Sequence, residues 1–265
     1  MIFPNKEPST NAHIRHGVMM VTIGTLLVGS ILAPLTIILP LTAQAQSGGS
    51  PPGAPSSRLA SLTDRWWQWL FSIDTSTQPN PFTTTYQGDC SQLMQGNSIF
   101  LVGQGPAGSV SNHGTCIISS QTSILFPVIN GVDIDCTSQQ QRAKPPGLCT
   151  FNMHIPARGQ PFQELRNNPF VAGVSGATNL VASIDGVPLQ SVQVQSPPGG
   201  FGVRLAPHDP FGFNVGPVTL HGVANGFWVL LPPLSPGQHT LTFGGCLPSS
   251  LGGGCQTNTY TLIVR

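Results

Sequence analysis

Apolar and polar side chains alternate from about residue 79 onward, interrupted every few residues by glycine or proline, and this period of two predicts short β-strands. The candidate strands are 98–102, 107–119, 123–129, 150–155, 178–184, 189–195, 200–205, 217–222, 226–231, 238–243 and 257–264. Residues 227–231 are a continuous apolar run, whereas Thr240 and Thr242 alternate with Leu241 and Phe243 as in a half-buried strand. Between them, Pro232, Pro233 and Pro236 donate no ladder hydrogen bonds and Gly237 accepts positive φ, so this stretch is connection and not sheet. Asp185-Gly186 lies between two strand runs and reads as a two-residue hairpin. The pattern predicts a mainly β fold, an antiparallel β-sandwich of immunoglobulin-like or jelly-roll-like kind.

One helix precedes the strands. Leu59, Leu62, Trp66, Trp69, Leu70 and Ile73 fall at helical spacing, Ser57 stands where a cap is needed, and the spacing predicts an amphipathic helix over 57–73. Trp66 and Trp69 then share the buried face, with Trp67 at its edge and a candidate for stacking on a ligand. A second, shorter helix is expected over 161–168, where Phe162 and Leu165 share a face and Glu164 lies in the first turn.

Ahead of the helix, Lys6 and Arg15 precede the uncharged run 18–41, which ends near Ala43-Gln-Ala45, a small-x-small cleavage pattern. Residues 1–45 are therefore read as a signal peptide, 46–55 as a flexible Gly/Ser/Pro linker and 56–265 as a single domain. This places the protein outside the cell or in a periplasm. The competing reading is a membrane anchor formed by 18–41, against which Pro34 and Pro40 count.

Charge narrows the partners. The 265 residues carry 10 Lys+Arg and 9 Asp+Glu, and without Lys6, Arg15 and Glu7 eight of each remain. Nothing in that balance attracts nucleic acid, nor a membrane once the signal is removed. All six cysteines (Cys90, Cys116, Cys136, Cys149, Cys246, Cys255) follow the signal, an even count that favours disulfides in an exported chain. Of the fifteen pairings, the sequential set is preferred because each bridge closes a local loop. With no C-x-x-C pair or Cys/His cluster, zinc is not expected.

Candidate chemistry is sparse. The G-x-S-x-G elbow is absent, and His208-Asp209, the one adjacent His/acid pair, lies between Pro207 and Pro210 in a surface loop. With Trp67 it makes up the candidate ligand-binding set. Alternation groups His239 with Leu241 and Phe243 as a half-buried structural histidine. Asp133 and Asp135, two apart beside Asn130, are a weak candidate for a hard cation such as calcium. Glu164 is the only glutamate after the signal, so no carboxylate pair for glycoside hydrolysis can be nominated. No cofactor is expected.

The segments Trp66-Trp-Gln-Trp69 with Asn80-Pro81, Ile99-Phe-Leu-Val-Gly103, Phe126-Pro-Val-Ile-Asn130 and Gly226-Phe-Trp-Val-Leu-Leu-Pro-Pro-Leu-Ser-Pro-Gly-Gln-His-Thr-Leu-Thr-Phe-Gly-Gly245, with Cys90 and Cys116, resemble a family of secreted bacterial and archaeal proteins. Its members carry WWQW near the mature N-terminus and LPPLSPGxHTLxFGG near the end. The resemblance runs from about Trp66 to Arg265, implies one secreted domain and transfers no catalytic residue. The 136–149 loop and the Cys246/Cys255 segment have no counterpart in it. The expected function is a structural or adhesive interaction module whose partner is a cell surface, a polysaccharide or a protein. The alternatives are a lectin-like module for carbohydrate or a small ligand, and a secreted hydrolase.

Overall fold

The computed structural model describes residues 57–103, 109–134, 167, 169–212 and 216–265. It opens with helix α1 (Ser57–Ser72), followed by strands β1 (Tyr86–Gly88), β2 (Met94–Gln95), β3 (Ser98–Phe100), β4 (Ser109–Ile118) and β5 (Ser123–Ile134). After the short helix α2 (Pro169–Gly173) come β6 (Thr178–Ile184), β7 (Val187–Pro188), β8 (Val192–Gln195), β9 (Phe201–Leu205), β10 (Val218–Leu231), β11 (Gly237–Cys246) and β12 (Cys255–Val264). The fold is mainly β. Strands in the order β1-β4-β12-β11-β6-β7 form one sheet and β2-β3-β5-β10-β8 the core of the other, with β9 also paired to β10.

The strands on either side of the proline-rich connection, β10 and β11, belong to different sheets. The inner faces of the two sheets meet where Phe126 of β5 packs on Phe243 of β11, ring centroids 4.8 Å apart. Phe126 stands opposite Val229, and the neighbouring Trp228 stands opposite Pro127, so alternation turns Trp228 to the other face of the second sheet. There it meets Trp66 of α1 at 5.3 Å. The helix buries Leu59, Thr63, Trp66, Trp67, Leu70 and Phe71, a stripe at helical spacing. Trp66 is fixed further by its indole N–H, which donates to the Leu101 carbonyl at 2.9 Å.

Three expectations are corrected here. The sheets are mixed and not antiparallel throughout: β1 with β4, β4 with β12 and β3 with β5 run parallel. For β3 and β5 the chain path gives the reason, since between them in sequence the chain crosses to the first sheet as β4 and returns, so the two are joined by a crossover and not by a hairpin. Residues 217–222 and 226–231 form one strand, β10, with no break at Gly222 or Gly226. A Cβ at Gly226 would fall 2.6 Å from Asn130 Cβ on β5, so this glycine serves close approach of two strands and not a turn. Trp67 lies within the core at 4% exposure, edge-on to Trp66 and stacked on Phe71. Its helical phase suggested an edge, but α1 is covered over a wider arc than one sheet contact requires.

Local signals held up better. Asp185 and Gly186 have φ of 52° and 78°, the doubly left-handed pair of a type I′ turn, and Ile184 pairs with Val187 across it. Pro127 sits inside the central strand β5 beside a bulge that shifts the register between Phe227 and Trp228, which accommodates its missing donor. Cys90 is bonded to Cys116, tying the segment ahead of β2 to β4. Cys246 is bonded to Cys255 across directly opposed positions of β11 and β12, with Cα atoms 3.9 Å apart. The expected Cys136–Cys149 bridge, the strand at 150–155 and nearly all of the helix at 161–168 lie outside the described residues. So does the run 18–41; among the described residues no helix is long and apolar enough to cross a membrane.

Candidate functional site

Two surfaces, one buried polar cluster and one half-exposed His/Asp pair hold the chemistry of interest among the described residues. An open cleft of about 480 Å³ lies between α1 and the β2–β3 turn, lined by Arg58, Ser61, Leu62 and Arg65 from the helix and Gln95, Gly96, Asn97 and Ser98 from the turn. The helical residues recur at i, i+3, i+4 and i+7, so one face of α1 presents both arginines to it. No carboxylate, histidine or cysteine lines the cleft. Its groups donate hydrogen bonds and positive charge, and none is a general acid or base near neutral pH.

The second surface is the outer face of the first sheet. Asn258, Tyr260, Leu262 and Val264 of β12 point into the core, so Thr257, Thr259, Thr261 and Ile263 point out. Their cross-strand neighbours continue the pattern. Ser183, Thr242, Thr259 and Asn112 stand side by side on β6, β11, β12 and β4, followed by Thr240, Thr261 and Thr115 in the next row. Val110 (84% exposed), Val181 (48%) and Ile117 (41%) complete the face. These positions carry hydroxyl, amide and methyl groups and no charge.

Inside, His113 is 2% exposed, hydrogen-bonds from Nε2 to Asn258 Oδ1 at 3.1 Å and stacks on Tyr260 with ring centroids 4.5 Å apart. Burial pushes its pKa below the ordinary value, so the ring is neutral near pH 7. Tyr260 in turn donates its hydroxyl to the Val102 carbonyl at 2.9 Å. These partners make the cluster a structural one.

His239 does different work. Nδ1 lies 2.7 Å from Asp185 Oδ2 and Nε2 lies 2.9 Å from the Ser235 carbonyl, so both ring nitrogens face acceptors, an arrangement satisfied fully only by the imidazolium. The Asp185 hydrogen bond raises the His239 pKa, while the Thr240 N–H, donating to Asp185 Oδ1, and His239 lower that of Asp185. The histidine is half-buried, in keeping with the alternation. It joins β11, the type I′ turn and the proline-rich connection. Because its folded pKa is raised, its contribution is full below about pH 6.5 and is lost as pH rises through the raised value. The Asp185 contribution is present above about pH 3.9 and is lost as pH falls through the lowered value. Melting temperature measured from pH 5 to 9 is therefore expected to decline more for the wild type than for His239→Gln. Parallel curves would show that this clamp does not couple to protonation.

The residues singled out from sequence do not converge. His208 is exposed, and its backbone carbonyl accepts from the Thr75 N–H and hydroxyl. Asp209, expected at the surface, is 2% exposed and accepts the Phe211 N–H at 3.0 Å, because its carboxylate turns inward to hold a tight turn. Trp67 is in the core. Asp133 is 1% exposed and accepts the Ile134 N–H, and Asp135 lies outside the described residues. Among the described residues no group of three or more His, Cys, Asp or Glu could hold a metal ion. Arg58 and Arg65 escaped notice from sequence, although two arginines seven apart on a helix of a charge-poor chain were a usable signal.

No protein-family model, curated protein or solved structure matches the chain.

Proposed function

We propose that this chain is an exported, extracellular module that acts by surface recognition, structural or adhesive in character, and that it belongs with the secreted proteins bearing WWQW and LPPLSPGxHTLxFGG. Export is supported by the two disulfides together with the Ala43-Gln-Ala45 pattern. The two sheets apposed through Phe126 and Phe243 support a β-sandwich; its parallel pairs depart from the immunoglobulin-like and jelly-roll-like patterns. The observation that carries the reading is the uncharged outer face of the first sheet, where threonine, serine and asparagine side chains alternate in rows with exposed valines and isoleucine. Such a face offers apolar contact and hydroxyl hydrogen bonds to a neutral partner surface without the cost of desolvating charge.

Protein recovered from the producing cells is expected to start at Gln46 by intact mass and to sediment with their cell-envelope material. Thr259→Lys, which places a charge in the middle of the face, is expected to abolish sedimentation with little change in melting temperature. Equal sedimentation of wild type and variant would defeat the assignment of this face, and a mass that includes residues 1–45 would defeat export with cleavage.

A further inference from the structure

We infer that the cleft between α1 and the β2–β3 turn binds an acidic oligosaccharide, with Arg58 and Arg65 each taking a carboxylate. The inference does not depend on the function proposed above, because α1 packs on the second sheet and the uncharged face belongs to the first.

Acidic side chains are engaged by the fold: Asp64 accepts from Ser196, Asp74 from Ser76, Asp89 from Ser91, and Asp185 from His239 and Thr240; Arg204 and Arg265 do not line the cleft. Arg58 and Arg65 have no ion-pair partner among the described residues, and nothing acidic lines the cleft they share. Two positive forks without a counter-charge make a site for anions, since a guanidinium binds a carboxylate through two parallel hydrogen bonds.

The remaining lining selects among anions. A separation of seven positions sets the arginines about 10 Å apart along the helix axis, a span too long for one small anion and suited to carboxylates on alternate units of an extended glycan. Ser61, Gln95 and Asn97 have side-chain donors and acceptors that no other described residue uses, in positions to meet sugar hydroxyls. Ser98 is already paired with Ser123, 2.7 Å between hydroxyl oxygens, and helps to hold the turn in place. Half-buried Leu62 supplies an apolar patch for the C–H face of a sugar ring. The cleft is open, as a chain-like ligand that continues past its ends requires.

The test is isothermal titration of the full exported protein with an oligogalacturonate of four units, the same oligomer fully methyl-esterified, and inorganic phosphate. Saturable binding of the acidic oligomer is expected, together with at least a tenfold loss of affinity in Arg58→Gln/Arg65→Gln and progressive weakening with added salt. The ester is expected to show no binding. Both substitutions are on the exposed face of α1, so an unchanged melting temperature verifies the fold. Absence of saturable binding by the acidic oligomer, equal affinity for the ester, an unaffected double variant, or phosphate binding as tight as the oligomer would each overturn the inference.

Discussion

Trp66→Ala is expected to lower the unfolding free energy by about 3–5 kcal/mol, the range for removing a large aromatic from a packed core. The side chain is 2% exposed and lies where the helix meets the second sheet, with Trp67, Trp69 and Trp228 around it at centroid distances of 4.9, 6.1 and 5.3 Å. Trp66→Phe retains most of the apolar surface but strands the Leu101 carbonyl, which accepts the indole N–H. Trp67 supplies the contrast. Its Nε1 is buried without a hydrogen-bond partner among the described residues, so Trp67→Phe removes an unsatisfied donor and is expected to cost less than Trp66→Phe. Chemical denaturation of the three variants measures the difference. Wild-type stability in Trp66→Ala, or a larger loss in Trp67→Phe than in Trp66→Phe, would refute this account of the WWQW segment.

The second large effect is expected at Gly244. A Cβ there would collide with the Gln256 carbonyl oxygen on β12 and also lie 2.8 Å from the Gln256 carbonyl carbon, backbone atoms that cannot rotate aside. Relief requires β11 and β12 to part locally, where their pairing leads to the Cys246–Cys255 bridge. Gly244→Ala is therefore expected to destabilise by at least about 2–3 kcal/mol, the upper part of the range for overpacking. Gly186→Ala is a useful comparison, because nothing lies within 4 Å of its added Cβ and only the left-handed φ of 78° is strained. A melting temperature for Gly244→Ala equal to that of wild type would show that the strands yield at little cost.

What could be read from the chain alone depended on distance along it. The Asp185-Gly186 turn and the Cys246–Cys255 hairpin are decided within ten residues or fewer, by residues whose backbone preferences or bonding are intrinsic. The long strand β10 was divided in two because Gly222 and Gly226 look like turn residues until β5, nearly a hundred positions earlier, is laid against Gly226. Parallel pairing was invisible for the same reason: β4 and β12 are separated by most of the domain, and no local signal sets their relative direction. The cleft is also a product of non-local assembly, since Gln95 and Asn97 stand beside Arg58 and Arg65 only once β3 has joined β5. Trp67 could be placed on the helix but not in the core, because helical phase says nothing of how many neighbours surround the helix.

The position of β12 bears on the timing of assembly. This strand lies between β4 and β11, and the backbone of Arg265 is stitched to Ile118 and Ser120 just beyond the end of β4. A ribosome that has made residues 57–250 has therefore supplied both borders of the first sheet and left a gap at its centre. At that point the second sheet has all of its strands, whereas the first lacks the strand that joins β4 to β11, and its long-range, partly parallel pairings form slowly even when every strand is present. Completion of the first sheet therefore waits for β12 to be made and inserted between β4 and β11, whereas the second sheet and the helix packed on it need nothing beyond Leu231.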